Sequence, residues 1–191
     1  LVLDLDPPAG GDVVEAFGAA VQVALLVRQA LADVGLEGAV KTSGAKGVHV
    51  FVPIERRAAP EDTAAVTRAI GARAAALDPS IATTAFLKED REGKVFVDAT
   101  RSGGATVVAA YSPRARRGLP VSFPVSWDDL PSVTPGEVTV TNALDVLGDA
   151  DPWAQLMPSP QRLSADLIAE GHEIPIARVA AQIAAGRTLA D

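Results

Sequence analysis

Leu1-Val-Leu-Asp-Leu-Asp6 alternates apolar and acidic side chains. A period of two is strand periodicity, and it places Asp4 and Asp6 on the same face of that strand. Pro7-Pro8 and Gly10-Gly11 then stop it. Two carboxylates two residues apart stand close enough to share a divalent ion. Mg²⁺ and Mn²⁺ take oxygen ligands and keep part of their water, so few carboxylates suffice. On spacing alone the pair reads equally well as two acids capping a strand end beside Pro7.

Outward from this strand, Asp12-Val-Val-Glu15 reads as a capping box. Val13, Phe17, Val21, Ala24 and Leu31 carry an apolar helical stripe to about Val34, and Gly35 suits the C-terminal cap. A Gly-rich turn follows at 43–47, then a β-rich run at 48–54. Pro60-Glu-Asp62 opens a second helix to about Leu77, since proline is tolerated in a first turn and acids favour a helix N-terminus. Residues 88–94 form a charged turn, and 94–98 a short strand ending on Asp98. Strands are expected at 105–111 and 121–125 and a short helix at 141–148. Pro158-Ser-Pro160 reads as a linker before helical segments near 162–170 and 175–186. The order of elements predicts an α+β (mixed α/β) sheet with helices on one face. The catalytic core is expected over 1–157, with a linker and helical tail over 158–191.

The 191 residues suffice for one domain with a real core. The absence of cysteine excludes a disulfide scaffold, thiolate metal sites and a cysteine nucleophile, and fits a cytoplasmic address. Two histidines argue against a multi-histidine zinc centre. No uninterrupted apolar run is long enough for a membrane span, and no signal peptide is visible. The net charge of −7 is unevenly spread: residues 41–117 carry +5 and the remainder −12. A basic middle in an acidic chain suggests a local anion site, and on charge alone uneven surface charge explains it as well.

Four groups carry possible chemistry. Asp4 and Asp6 are the first. Asp98 ends a Val-Phe-Val run, and if its strand neighbours the first, three carboxylates converge, the usual requirement for two-metal phosphoryl transfer; alone it reads as a turn Asp. In Ser43-Gly-Ala-Lys-Gly-Val-His49, Gly44 and Gly47 let backbone N–H groups approach an anion. Ser43 supplies a hydroxyl donor, Lys46 a point charge, and His49 begins the next strand. The P-loop spacing is missing, and the bland alternative is a Gly-rich turn with an incidental lysine. Arg101 and Arg114 offer guanidinium forks for phosphate oxygens, whereas Arg116 and Arg117 read better as a solvated basic turn.

The order of these pieces is more specific than any one of them. The Asp-x-Asp strand, Thr42-Ser-Gly-Ala-Lys-Gly-Val-His-Val-Phe-Val-Pro53 and Val95-Phe-Val-Asp98 resemble the three motifs of the archaeo-eukaryotic primase superfamily. They are most similar to the polymerase domain of bacterial ATP-dependent DNA ligase D and its stand-alone relatives. Ala109-Ala-Tyr-Ser-Pro-Arg114, the segment at 120–130 and Asp151-Pro-Trp153 extend the resemblance to about residue 157. It implies a primase-like core whose central sheet is mostly antiparallel and flanked by helices. It also implies a nucleotidyltransferase that adds ribo- or deoxyribonucleotides to a nucleic-acid 3′ end under template direction, in double-strand-break repair by end joining. Two ions, Mg²⁺ or Mn²⁺, would sit on Asp4, Asp6 and Asp98. Ser43, Lys46, His49, Arg101 and Arg114 would bind the nucleoside triphosphate. Implied partners are DNA ends or gapped DNA, ligase and nuclease domains and an end-binding repair protein, with no membrane.

Two departures set expectations. The family domain carries a segment before the Asp-x-Asp strand, so a chain opening at Leu1 is expected to be N-terminally incomplete. The turn after Asp98, Ser102-Gly-Gly104, is shorter and less charged than the family's. Two other classes compete. A metal-dependent nucleotide-sugar glycosyltransferase explains Asp4 and Asp6 but not the 43–49 segment. A partial, non-catalytic primase-like module keeps the fold without the activity.

Overall fold

Leu3 and Leu5 are fully buried while the acids between and beyond them lie on the opposite side, so the first strand divides the molecule into a core side and a polar side. The computed structural model describes residues 1–103 and 106–176. Its strands are β1 (Val2–Asp6), β2 (Ala39–Thr42), β3 (Val48–Phe51), β4 (Ala82–Thr83), β5 (Val95–Asp98) and β6 (Pro124–Val125). They form one sheet in the order β4-β5-β1-β3-β2-β6. Only β4 and β5 pair in parallel; the other four pairings are antiparallel, as the resemblance implies.

Two long helices cover the core side. α1 (Val13–Ala32) starts where Asp12 accepts hydrogen bonds from the Val14 and Glu15 amides, and it unwinds at Gly35, whose φ is +71°. α2 (Pro60–Leu77) carries proline in its first turn together with Glu61 and Asp62. Phe17, Val21, Val27 and Leu31 of α1 and Val66 and Ile70 of α2 share one core with Leu3, Leu5, Val40, Val50 and Val97. Each side chain of this size gains about 1.5–3 kcal/mol by leaving water. Among the described residues α1 alone is long and apolar enough to cross a membrane, and here its buried face lies on the sheet.

The C-terminal half departs from simple periodicity. No strand forms over 106–111; residues 104 and 105 lie outside the described residues. Tyr111 adopts a φ of +66°, which breaks an extended run, and the chain meets 120–122 after that break, where the Tyr111 and Arg114 amides donate to the Ser122 and Pro120 carbonyls, the Ser122 amide donates to the Ser112 carbonyl, and Pro113 and Val121 form an isolated bridge. The expected strand at 121–125 shrinks to β6, paired with β2. Short helices α3 (Ala143–Leu147) and α4 (Pro152–Leu156) follow. α5 (Ala165–Glu173), capped by Ser164, packs on α2 with Leu163 and Leu167 buried in the core. The helix expected near 175–186 falls largely outside the described residues.

Candidate active site

Strand register builds the site. On the polar face, Asp98 of β5 lies opposite Asp4 of β1, Asp4 opposite His49 of β3, and His49 opposite Lys41 of β2. Four ionisable side chains therefore form one row across four strands, and Asp6 sits two residues along from Asp4 on the same face. β1 and β5 run antiparallel, so Asp6 and Asp98 do not meet as two equivalent strand ends. The acids converge because Asp98 stands directly across from Asp4.

One carboxylate oxygen from each of Asp4, Asp6 and Asp98 lies within 4.8 Å of the others. Asp4 is 8% exposed and Asp98 5%. Burial pushes the Asp4 carboxyl up, but the hydrogen bond and charge of His49, with Arg101 and Lys41 beyond, outweigh it and hold its pKa below the usual carboxylate range. Asp6 goes the other way: burial, reinforced by the charges of Asp4 and Asp98, raises it.

Arg101 Nε stands 3.2 Å from Asp4 Oδ2 and 3.0 Å from Asp98 Oδ2. Those are ion-pair distances, yet this buried N–H makes no aligned hydrogen bond. One guanidinium N–H thus stands between two of the acids without a hydrogen bond of its own. Three hard oxygen donors, one raised carboxyl and an ill-matched counter-ion fit a divalent cation of the Mg²⁺ or Mn²⁺ type.

The 43–47 turn lies beside this row, and its construction is tighter than an open anion cradle. Ser43 Oγ accepts from the amides of Ala45 and Gly47, at 3.2 and 3.1 Å, and the Ser43 amide donates to the Gly47 carbonyl. The hydroxyl proton of Ser43 is left to donate. Gly44 has a φ of +67°, and a Cβ there would come within 2.7 Å of Arg114 Cγ. Gly47 lies so close to β1 that a Cβ would sit 2.7 Å from the Leu5 carbonyl oxygen. Arg114 crosses this turn and donates to the Ser43 carbonyl at 2.6 Å. Lys46 Nζ donates to the Pro8 carbonyl, which ties the turn to the loop after β1. Arg116 and Arg117 are exposed. A cavity of about 350 Å³ beside β6, lined by Thr42, Phe123, Pro124, Glu137 and Leu156 among others, lies apart from the acids.

The sequence reading missed Lys41 and Ser122. Lys41 is fully buried, with its Nζ 2.8 Å from His49 Nδ1 and donating to Ser122 Oγ at 2.6 Å. On its far side His49 Nε2 is 3.2 Å from Asp4 Oδ1. Burial lowers the Lys41 pKa to about 7, with Asp4 opposing that shift and Arg114 adding to it. The available signal was parity: in Ala39-Val-Lys-Thr42 the lysine shares a face with Ala39, opposite the core-facing Val40. The quoted Tyr111 and Asp151-Pro-Trp153 also find a common purpose. The Tyr111 hydroxyl donates to Asp151 and accepts from the Trp153 amide, and the Trp153 ring packs edge-on against Phe51 at 5.2 Å.

Comparison with known proteins bears on the family and the fold. The family model described as LigD, primase-polymerase domain, matches residues 1–153. The chain is 39% identical over 169 residues to the multifunctional non-homologous end joining protein LigD of Pseudomonas aeruginosa, covering 86% of this chain and 20% of that protein. It is 35% identical over 131 residues to the corresponding DNA repair protein of Mycobacterium tuberculosis, covering 68% and 17%. It is 30% identical over 148 residues to the bifunctional non-homologous end joining protein LigD of Bacillus subtilis, covering 76% and 24%. The chain thus spans a quarter or less of the length of these curated relatives. A solved structure, the polymerase domain from Mycobacterium tuberculosis Ligase D in complex with DNA, matches with a TM-score of 0.71 and 31% identity, covering 82% of this chain and 54% of that one. The chain belongs to the LigD primase-polymerase domain family.

Proposed function

We propose that this chain is the catalytic core of a two-metal nucleotidyltransferase, adding nucleotides to a DNA 3′ end under template direction during end joining. The observation that carries the reading is the placement of Asp4, Asp6 and Asp98 within 4.8 Å of one another, with His49 across from Asp4. Asp4, Asp6 and Asp98 would hold two Mg²⁺ or Mn²⁺ ions. Such ions neutralise charge on the phosphoryl group and clamp the attacking and leaving oxygens.

The remaining residues bind and orient. His49, Lys46 and the Ser43 hydroxyl face a triphosphate from the turn side, with Lys46 first leaving the Pro8 carbonyl. Arg114 keeps the turn in shape through the Ser43 carbonyl while its charge stays near the phosphates. Arg101 trades its place between Asp4 and Asp98 for phosphate oxygens once the acids hold cations. Positioning and fixed charge supply most of the rate gain in chemistry of this kind. The partners of this reading are a nucleoside triphosphate and DNA ends or gaps, with ligase or nuclease domains and an end-binding protein acting alongside in the cytoplasm.

Primer extension on gapped, 5′-phosphorylated DNA with Mn²⁺ tests it. Asp98→Asn should lower extension at least ~10²-fold, the scale of losing one charge-stabilising group. Incorporation that survives Asp98→Asn, or transfer from nucleotide sugars in place of triphosphates, would sink the reading.

A further inference from the structure

The row of ionisable groups extends past the acids, and its last member has no role in the reading above. Lys41 is sealed inside the protein. Its ammonium is held at 2.8 Å from His49 Nδ1 and 2.6 Å from Ser122 Oγ, with the Thr42 carbonyl a distant 3.5 Å away. Ser122 is itself oriented, because its hydroxyl donates to the Thr42 carbonyl at 2.7 Å and so turns lone pairs towards Lys41. The ring of Phe51 lies 5.6 Å from the same nitrogen. A long, flexible side chain has been fixed at both faces of its head group.

We infer that Lys41 is a positioning residue: it donates to His49 Nδ1 and thereby fixes His49 as a neutral imidazole carrying its proton on Nε2, aimed at the acids and at the phosphate they would bring. The inference rests on the proposed nucleotide site and adds the residue that prepares His49 for it. The chemistry leaves little choice. A neutral imidazole has one donor and one acceptor nitrogen, and its tautomer is set by the partner of the other nitrogen. Nε2 faces a carboxylate oxygen at 3.2 Å, where a lone pair would be repelled and an N–H is attracted. Nδ1 must then accept, and Lys41 donates to it whether the amine is charged or neutral. The result is a donor towards oxygen anions that does not depend on imidazolium.

The test is a long-range ¹H–¹⁵N spectrum of the full 191-residue chain at about pH 7.5 without nucleotide. Only two histidines are present, and His172→Gln assigns them. The expected result is His49 protonated at Nε2 alone. A ring protonated at Nδ1, or at both nitrogens, overturns the inference. Lys41→Met should let a second tautomer or the imidazolium appear. If the folded variant keeps a pure Nε2–H ring, Asp4 alone sets the tautomer and the lysine has no such role. Should Lys41→Met fail to fold, the wild-type spectrum still decides which nitrogen carries the proton. ATP with Mg²⁺ supplies the second arm. Lys41→Met should weaken ATP binding roughly tenfold, the scale of one charge-assisted hydrogen bond, and equal affinity would overturn the inference. ATP should also move the wild-type His49 signals. If it does not while the tautomer is as stated, the nucleotide reading fails and the lysine's hold on His49 stands.

Discussion

Asp6 and Asp4 differ by two positions and titrate in opposite directions, and the cause is which neighbours each one meets. Asp4 has His49 and Arg101 against it. Asp6 has burial and two other acids. A carboxyl whose folded pKa is raised loses stability as pH rises from the unfolded value through the folded one, so at neutral pH Asp6 strains the metal-free protein. Asp6→Asn should therefore raise the melting temperature in EDTA by about 2–4 °C, the shift for roughly 1 kcal/mol in a chain of this size. The same variant should lose the stabilisation that Mn²⁺ gives the wild type. A lower melting temperature in EDTA would show that Asp6 is not strained. Residue-scale reading of the sequence singled out Asp4 and Asp6 by alternation, Asp98 as the end of a Val-Phe-Val run and His49 by its place after the Gly-rich turn. It missed Lys41 because a lysine on a strand usually points to solvent, and only neighbours distant in sequence, Ser122 among them, reveal that this one does not.

At the scale of elements, the site depends on how closely the 43–47 turn lies against β1. Gly47 is required for that approach: its place leaves 2.7 Å between an added Cβ and a backbone oxygen of Leu5. Gly47→Ala should cost about 1–3 kcal/mol, the range for forcing extra volume into a packed place. The loss should appear as a lower urea midpoint, with nucleotide affinity falling too because His49 sits two residues on in the displaced strand. A second close approach joins α5 to α2. A Cβ on Gly171 would meet the Ala65 carbonyl oxygen at 2.1 Å. Gly171→Ala should destabilise by a similar amount through lost α2–α5 packing while leaving Mn²⁺ affinity within about twofold, since changes at distant sites act independently. A large loss of metal affinity there would tie α5 to the site.

Across the whole molecule, pH dependence separates the buried groups. Lys41 has a folded pKa of about 7, below the value of a free lysine. Between those two values the unfolded chain holds a proton that the folded chain has released, so stability rises with pH across that window. Asp4 works at the other end: its depressed pKa stabilises the fold above the unfolded carboxylate value, and that gain is lost as pH falls through the folded value. Urea unfolding from pH 7 to pH 9 should show the Lys41 contribution as a gain on the order of 2 kcal/mol over Lys41→Met. Parallel curves for the two proteins would mean that the lysine is not held near neutrality. Cation binding should act on the same scale. With free Mn²⁺ at about a hundred times its Kd, mass action adds roughly 2.7 kcal/mol, and EDTA should reverse it.

The sequence by itself determined the strand that carries Asp4 and Asp6, the cap at Asp12, the proline-led second helix and the polar face of the sheet. Each of these is a local matter of side-chain period, capping chemistry or a fixed φ. It also determined family membership, because several separated motifs keep their order. Tertiary structure decided the rest. Only pairing places Asp98 across from Asp4 instead of beside Asp6, since strand direction is invisible in an isolated run of four residues. Only pairing with β2 makes a strand out of 124–125, and only the positive φ of Tyr111 with its bond to the Ser122 carbonyl ends the extended run before it, where apolar composition alone favours extended chain. And only burial from several elements at once turns Lys41 from a surface cation into a fixed donor, because desolvation is a property of the assembled neighbourhood and not of the residue.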